Sequence, residues 1–255
     1  MPANYTRYAS LADKTVFITG GGSGIGASIV EAFVANSSRV AFVDILEADS
    51  RALVERLSAN GNAPLFLKCD LTDIAALRGA IAEAAEKLGP IGVLVNNAAN
   101  DTRQPLDEVT PESWDRTQAL NVKHHFFAAQ AVRPGMRKLG GGSIVNFSSL
   151  AWMKGVPKLT AYATAKAAVV GLTQNLAREL GDDNIRVNAV APGAVMTERQ
   201  RRLWVSEADM ESFRAAQSLH VSLTGDAIAP AVLFLASDDA RMITKQCLVV
   251  DGGMH

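Results

Sequence analysis

The sequence predicts an α/β fold: a doubly wound parallel sheet of about seven strands with helices on both faces. Three observations carry that expectation. The stretch from Val16 to Asp44 reads as an apolar strand, a glycine-dense turn (Gly20 to Gly26), a helix, and a second strand ending in a carboxylate. That is a βαβ unit. Next, strands followed by helices recur as far as Asn97, and the strands are continuous apolar runs, the mark of a sheet covered on both faces. Finally, the 255 residues are 48% hydrophobic and show no repeat, linker or low-complexity tract. One core and a single domain spanning residues 1–255 are therefore expected.

The elements follow in order. Thr15 to Thr19 is the first strand, Gly24 to Asn36 a helix and Arg39 to Asp44 the second strand. Glu47 to Asn60 carries Leu53 and Leu57 at helical spacing and stops at Asn60-Gly61. Pro64 to Cys69 is strand three, and Thr72 is placed to cap a helix in which Ile74, Leu77, Ile81, Ala84 and Leu88 keep a helical period. Ile91 to Val95 is strand four. After a polar loop, Thr110-Pro111 opens a long helix through Met136, which Pro134 is expected to kink or end. Ser143 to Phe147 is strand five, Ser148 to Pro157 a loop, Thr160 to Leu180 a helix, and Asn184 to Val190 strand six, broken by Ala191-Pro192-Gly193. Residues 198–220, polar and charged between aromatics, read as a helical excursion suited to a substrate lid. A helix over Ala227 to Leu235 and a strand over Gln246 to Val250 complete the chain.

Chemistry concentrates at a few positions. Glycines allow a backbone to approach a phosphate, and the helix start beyond them offers free N–H groups. Asp44, ending the second strand, is placed to accept hydrogen bonds from a ribose diol. Together these predict a Rossmann-type dinucleotide site. Tyr162 and Lys166 lie four apart, on one helical face. An ammonium near a phenol favours the phenolate, so a lowered tyrosine pKa is expected, suited to proton transfer with an alcohol or carbonyl. Alone such a pair reads first as a surface contact on a helix. Ser148-Ser149, ending strand five, adds a hydroxyl for the reacting oxygen. Asn121 is unusual inside a helix and reads either as functional or as the holder of a buried carbonyl.

In combination these motifs resemble the classical short-chain dehydrogenase/reductase family, over Leu11 to Gly253. The resemblance implies a nicotinamide dinucleotide held by Gly20, Ser23, Gly24, Ile25 and Gly26. Asp44 and Ile45 would lie at the adenosine ribose, which favours NAD, and Asp70 and Leu71 beside the adenine. Asn97, Ala98 and Ala99, with Asn96 before them, match the family's N-N-A-G segment, with alanine for glycine at 99. Pro192, Gly193, Val195 and Thr197 would clasp the nicotinamide end, joined by Tyr162 and Lys166. Asn121, Ser149, Tyr162 and Lys166 match the catalytic tetrad. Ser149 is preferred to Ser148 because the family serine precedes the tyrosine by thirteen residues.

For the substrate, Asn100, Arg103, Ser149, Trp152, Lys154, Tyr162, Arg199 and His220 are candidates. Each charged or aromatic member has a structural alternative: Arg103 pairing with Asp101 or Glu108, Trp152 in lid packing or an interface. Asn96 to Arg103, Trp152 and Met196 to Gln200 with Trp204 look like bacterial NAD-dependent aldose 1-dehydrogenases. That resemblance implies oxidation of the anomeric hydroxyl of a galactose-, xylose-, arabinose- or fucose-type sugar to the aldonolactone. A polyol or secondary-alcohol dehydrogenase, or a small ketone reductase, is the alternative.

The 25 basic and 26 acidic residues are mixed along the chain, which argues against a nucleic-acid footprint or a basic membrane face. No run approaches the ~18 apolar residues of a membrane span, and Met1 to Ala12 lacks an apolar signal core, so the cytoplasm is the expected compartment. Cys69 and Cys247 sit in apolar runs and are expected as buried free thiols. His124 and His125 are adjacent rather than spaced as ligands, so no metal is expected. Ala128, Ala129, Ala165, Ala168 and Gly171 suggest a close helix–helix face; with the family resemblance this implies a homotetramer.

Overall fold

A computed structural model describes residues 5–59 and 63–255; the Asn60-Gly61 stop signal lies outside the described residues. The strands are β1 (Thr15–Thr19), β2 (Arg39–Asp44), β3 (Leu65–Lys68), β4 (Ile91–Asn96), β5 (Gly142–Phe147), β6 (Ile185–Pro192) and β7 (Cys247–Val250). All seven pair in parallel, in the order β3-β2-β1-β4-β5-β6-β7. The helices are α1 (Gly24–Ala35), α2 (Glu47–Ser58), α3 (Ile74–Leu88), α4 (Pro111–Gln118), α5 (His124–Lys138), α6 (Ala151–Lys154), α7 (Thr160–Glu179), α8 (Glu198–Leu203), α9 (Glu207–Ala216) and α10 (Gly225–Ala236).

Two apolar layers sandwich the sheet. On one face Ile29 and Phe33 of α1, Leu53 of α2 and Val232 of α10 pack on Val16, Ile18 and Val93. On the other, Leu77 of α3, Val132 of α5 and Leu176 of α7 pack on Phe17, Leu94 and Val187. Side chains of a strand alternate between faces, so an all-apolar β1 or β4 can feed both layers. Strand order reverses between β1 and β4: the chain steps outward through β2 and β3, then returns to lay β4 on the other side of β1. At that switch point the loops after β1 and β4 diverge and leave a crevice at the strands' carboxyl ends.

Several local expectations are corrected. Thr72 does not cap α3, because its N–H and hydroxyl are both drawn to Asp70 Oδ1 (2.9 and 2.8 Å). Asp73 caps instead, accepting from the Ala75 and Ala76 amides at 2.9 and 3.0 Å. Pro134 does not end α5: Val132 and Met136 are buried on either side of it, so packing carries the helix on to Lys138. β6 is not broken at Ala191; it pairs through Pro192 with Val250, and the proline occupies the strand's last position. The loop after β5 contains the one-turn α6. Both cysteines are free, Cys69 buried just past β3 but Cys247 only half-buried. Ala128, Ala129 and Ala165 are consumed in packing on the sheet; of the proposed small-residue face only Ala168 and Gly171 are exposed. Among the described residues no helix is long and apolar enough to cross a membrane.

Candidate active site

The glycine turn after β1 is built so closely that side chains are excluded. Gly20, at φ +67°, would place a Cβ 2.7 Å from Ala98 Cα, and Gly26 would place one 1.8 Å from the Gly20 carbonyl oxygen. A turn this tight presents backbone rather than side chains. Ser23 sits at the N-cap of α1 without a side-chain cap bond, so the first N–H groups of that helix are left for an anion. The turn is stapled to β4 through Asn97, whose Nδ2 donates to Thr19 O (3.1 Å) and Gly20 O (2.9 Å). In return Thr19 Oγ1 accepts from the Asn97 and Ala98 amides, both at 3.1 Å. Asp44 is fixed at the end of β2 by the Gly22 and Leu46 amides, each 2.9 Å from one carboxylate oxygen. Ile45 is exposed beside it, and Ile25 is half-buried in α1. Asp70, held low in pKa by the Thr72 N–H and hydroxyl, follows β3, with Leu71 buried behind it. Gly24 comes near the other wall, a Cβ there lying 3.0 Å from Thr197 Cγ2. That wall runs from Pro192 through Gly193, bonded to Val250 O at 3.0 Å, to Val195, bridged to Leu223. Thr197 caps α8 by accepting from Gln200 N at 3.2 Å. A dinucleotide fits this cradle: bare backbone at a helix start, a fixed carboxylate to one side, a clasp on the other.

Ser149, Tyr162 and Lys166 converge at the carboxyl end of β5. One turn of α7 separates Tyr162 from Lys166, and the lysine Nζ stands 5.8 Å from the phenol ring centroid. Lys166 is buried and donates to Phe147 O at 2.8 Å; loss of water pulls its pKa from 10.5 to about 7. Tyr162 departs from expectation. Its pKa is pushed up to about 12, chiefly by burial; the hydrogen bond from Ser149 opposes this and the charge of Asp101 adds to it. An ammonium that is itself half-neutral near pH 7 is not the full counter-charge the sequence reading assumed. Ser149 Oγ accepts from Ala151 N (3.1 Å), which leaves its own proton free to donate.

Asn121 lies in a π-helical turn, residues 119–123, between α4 and α5. Its carboxamide grips the loop after β4: Oδ1 accepts from Asn100 N (2.9 Å) and Nδ2 donates to Asn100 O (3.1 Å) and Thr117 O (3.0 Å). The side chain thus does hold a carbonyl, one of the two roles the sequence allowed.

The substrate candidates divide. Asn100 and Arg199 meet, with Arg199 Nη2 2.9 Å from Asn100 Oδ1. Trp152 is held by its indole N–H on Ser148 Oγ (3.1 Å), leaving its ring partly exposed. Arg103 pairs with neither Asp101 nor Glu108; its guanidinium lies 5.5 Å over the Trp204 ring. Lys154 reaches toward Met254 O at 3.5 Å, and His220 is exposed with Nδ1 2.9 Å from Arg214 O; neither is brought to Tyr162 by any contact of its own.

Three supporting residues escaped the sequence reading. Ser148 donates to Lys166 O at 2.7 Å, so the serine passed over as a reacting group pins the helix that carries Tyr162 and Lys166. His124, fully buried, sets Nε2 3.5 Å from Thr19 Oγ1, beneath the glycine turn. Burial and the nearby Lys166 charge drop its pKa to about 3, so it is neutral. Asp101 bonds Gln200 Nε2 at 2.6 Å, across a gap of 99 residues that no local pattern reveals. For Ser148 the only signal was its adjacency to Ser149.

Comparison with known proteins places this geometry. The family profile described as enoyl-(acyl carrier protein) reductase matches residues 20–255. A Rhizobium meliloti (strain 1021) protein named "Probable galactose dehydrogenase GalD" is 50% identical over 250 residues, 98% of each chain. D-xylose 1-dehydrogenase of Caulobacter vibrioides (strain NA1000 / CB15N) is 44% identical over 246 residues, 96% of this chain and 97% of that one. Among solved structures, a 7α-hydroxysteroid dehydrogenase complexed with NADH and 7-oxo glycochenodeoxycholic acid superposes with a TM-score of 0.92 at 32% identity, over 96% of both chains. A blue fluorescent protein from a metagenomic library, in complex with NADPH, gives 0.87 at 37% identity, over 96% of this chain and 99% of that one. Identity at this level from end to end, with a superposition over nearly the whole chain, is inheritance rather than convergence: the chain belongs to the short-chain dehydrogenase/reductase family of oxidoreductases.

Proposed function

We propose that this enzyme oxidises the anomeric hydroxyl of an aldose to the aldonolactone, with NAD as cofactor. The observation that carries the reading is the near full-length match to two relatives named for two different aldoses, on a chain that keeps Ser149, Tyr162 and Lys166. The polar loop of Asn100 to Arg103 and the partly exposed Trp152 ring suit a hydroxylated ring better than a long apolar substrate.

In this reading Tyr162 takes the proton of the anomeric hydroxyl, and the free proton of Ser149 holds the same oxygen as it becomes a carbonyl. A nicotinamide, when bound, supplies the hydride acceptor for the carbinol carbon. Lys166, given ribose oxygens to bond in place of the water it has lost, would stay an ammonium and bring the phenol down from about 12. Asn121 would steady the loop that faces the sugar. Asp44 would accept a ribose diol and repel a phosphate in its place, which favours NAD over NADP. Residues 198–220 would act as the lid of a single domain, and a homotetramer in the cytoplasm is the expected assembly, with the exposed Phe126, Ala168 and Gly171 at helix contacts.

The test is a panel of aldoses and polyols, each with NAD and NADP, followed by absorbance of the reduced cofactor, with hydroxylamine trapping of the lactone. Galactose- or xylose-type sugars should be oxidised with NAD preferred. Faster oxidation of polyols than of every aldose would replace this reading with the polyol dehydrogenase one.

A further inference from the structure

The excursion between β6 and α10 is tied down unevenly. At its base, Met196 N bonds Leu223 O at 2.8 Å, Gln217 Nε2 bonds Asp251 O at 3.1 Å and Leu219 N bonds Gly252 O at 2.8 Å. These are backbone-anchored and within ordinary hydrogen-bond range. At its tip, α8 meets the loop after β4 through side chains alone. Asp101 takes two of those contacts: Oδ2 accepts from Gln200 Nε2 at 2.6 Å, and Oδ1 stands 3.6 Å from Arg199 Nε. Arg199 also donates to Asn100 Oδ1, and Arg103 stacks on Trp204, which ends α8. Asp101 is only 18% exposed, against 44% for Arg199, so the carboxylate faces inward while its cation faces solvent.

We propose that Asp101 is a positioning residue for the reaction: it is the clasp that holds α8 against the loop after β4, closing the lid over the sugar. The kinetic part rests on the aldose reading; the structural part does not. Two features support a role beyond tethering. The clasp joins the loop that Asn121 grips to the segment that Thr197 caps, so lid position and the two walls of the site are coupled. Asp101 also bears on the proton-transfer group. The groups facing the Tyr162 phenol are Ser149, Lys166 and Asp101, and the Asp101 charge raises its pKa. Arg199 and Gln200, when clasped, draw on that charge; release of α8 would expose the phenol to it in full.

Hydrogen exchange and steady-state kinetics on the full-length protein separate the parts. In Asp101→Ala and in Gln200→Ala, amides of residues 198–204 should lose protection while β1 and α7 keep theirs. The KM for the best aldose should rise about tenfold in Asp101→Ala, the worth of one charge-assisted hydrogen bond, with kcat changed far less. Asp101→Asn keeps an acceptor for Gln200, so it should restore most of the KM yet move the acidic limb of the kcat/KM profile to lower pH, since the charge that raised Tyr162 is gone. Unchanged exchange at 198–204 in Asp101→Ala would overturn the clasp. Lost protection in a protein that oxidises no aldose would support the clasp and remove the sugar reading instead.

Discussion

The two walls of the crevice are made by different means. On the dinucleotide side every contact is made to backbone: the Gly26 turn under the Gly20 carbonyl, Asn97 stapling the Thr19 and Gly20 carbonyls, Asp44 fixed by two amides. On the substrate side, side chain meets side chain: Arg199 to Asn100, Gln200 to Asp101, Arg103 over Trp204. Backbone constraints tolerate almost no substitution, whereas a side-chain pair can be exchanged for another of similar reach. In the proposed reading, a cofactor common to many enzymes would thus be held by the part of the site least free to change, and the variable substrate by the part most free.

Five variants probe that contrast. Tyr162→Phe, at the seam, should lower kcat by about a thousandfold while reduced-cofactor fluorescence titration still finds binding; retained turnover would remove its role in proton transfer. Gly26→Ala should destabilise by about 3 kcal/mol or prevent folding, since its Cβ has nowhere to go. Gly79→Ala in α3, where nothing lies within 4 Å, should instead gain about 0.5–1 kcal/mol, both read by urea unfolding. Equal effects at the two glycines would break the contrast. His124→Gln tests the polar layer under the turn. Its folded pKa of about 3 lies below the ordinary 6.5, so between those values the unfolded chain binds a proton the native one does not. Native stability therefore falls as pH drops through that window, and the variant should lose less of it, measured by melting at each pH. An identical acid profile would mean that this histidine is not held neutral. Smallest is Trp152→Ala on the substrate wall: a rise of about threefold to tenfold in the sugar KM, with cofactor affinity and melting temperature unchanged.

The same contrast explains what the sequence disclosed. Gly20, Gly26, Asp44, Tyr162 and Lys166 were legible because each answers a rule of local spacing, a turn that excludes Cβ or a helix that aligns residues four apart. The doubly wound parallel sheet was legible because alternating strands and helices admit few topologies. What failed was decided by neighbours distant in sequence. Thr72 lost the cap to Asp73 because Asp70 claimed it, and Pro134 was overruled by packing on the sheet. The phenol of Tyr162 rose rather than fell because its own burial disfavours the phenolate, and the charge of Asp101 adds to that rise. Arg103 on Trp204, and Gln200 on Asp101, join residues about a hundred positions apart, beyond the reach of any periodicity.

One feature of the excursion after β6 extends beyond this enzyme. Its two ends are held side by side, Val195 bridged to Leu223, before either enters the sheet or α10. A segment whose ends already meet can lengthen at little entropic cost, because each doubling of such a loop adds only about 0.6 kcal/mol. Grafting another family member's helices between these two residues should therefore leave the parent scaffold folded, making this stem a natural splice point for building new alcohol specificities.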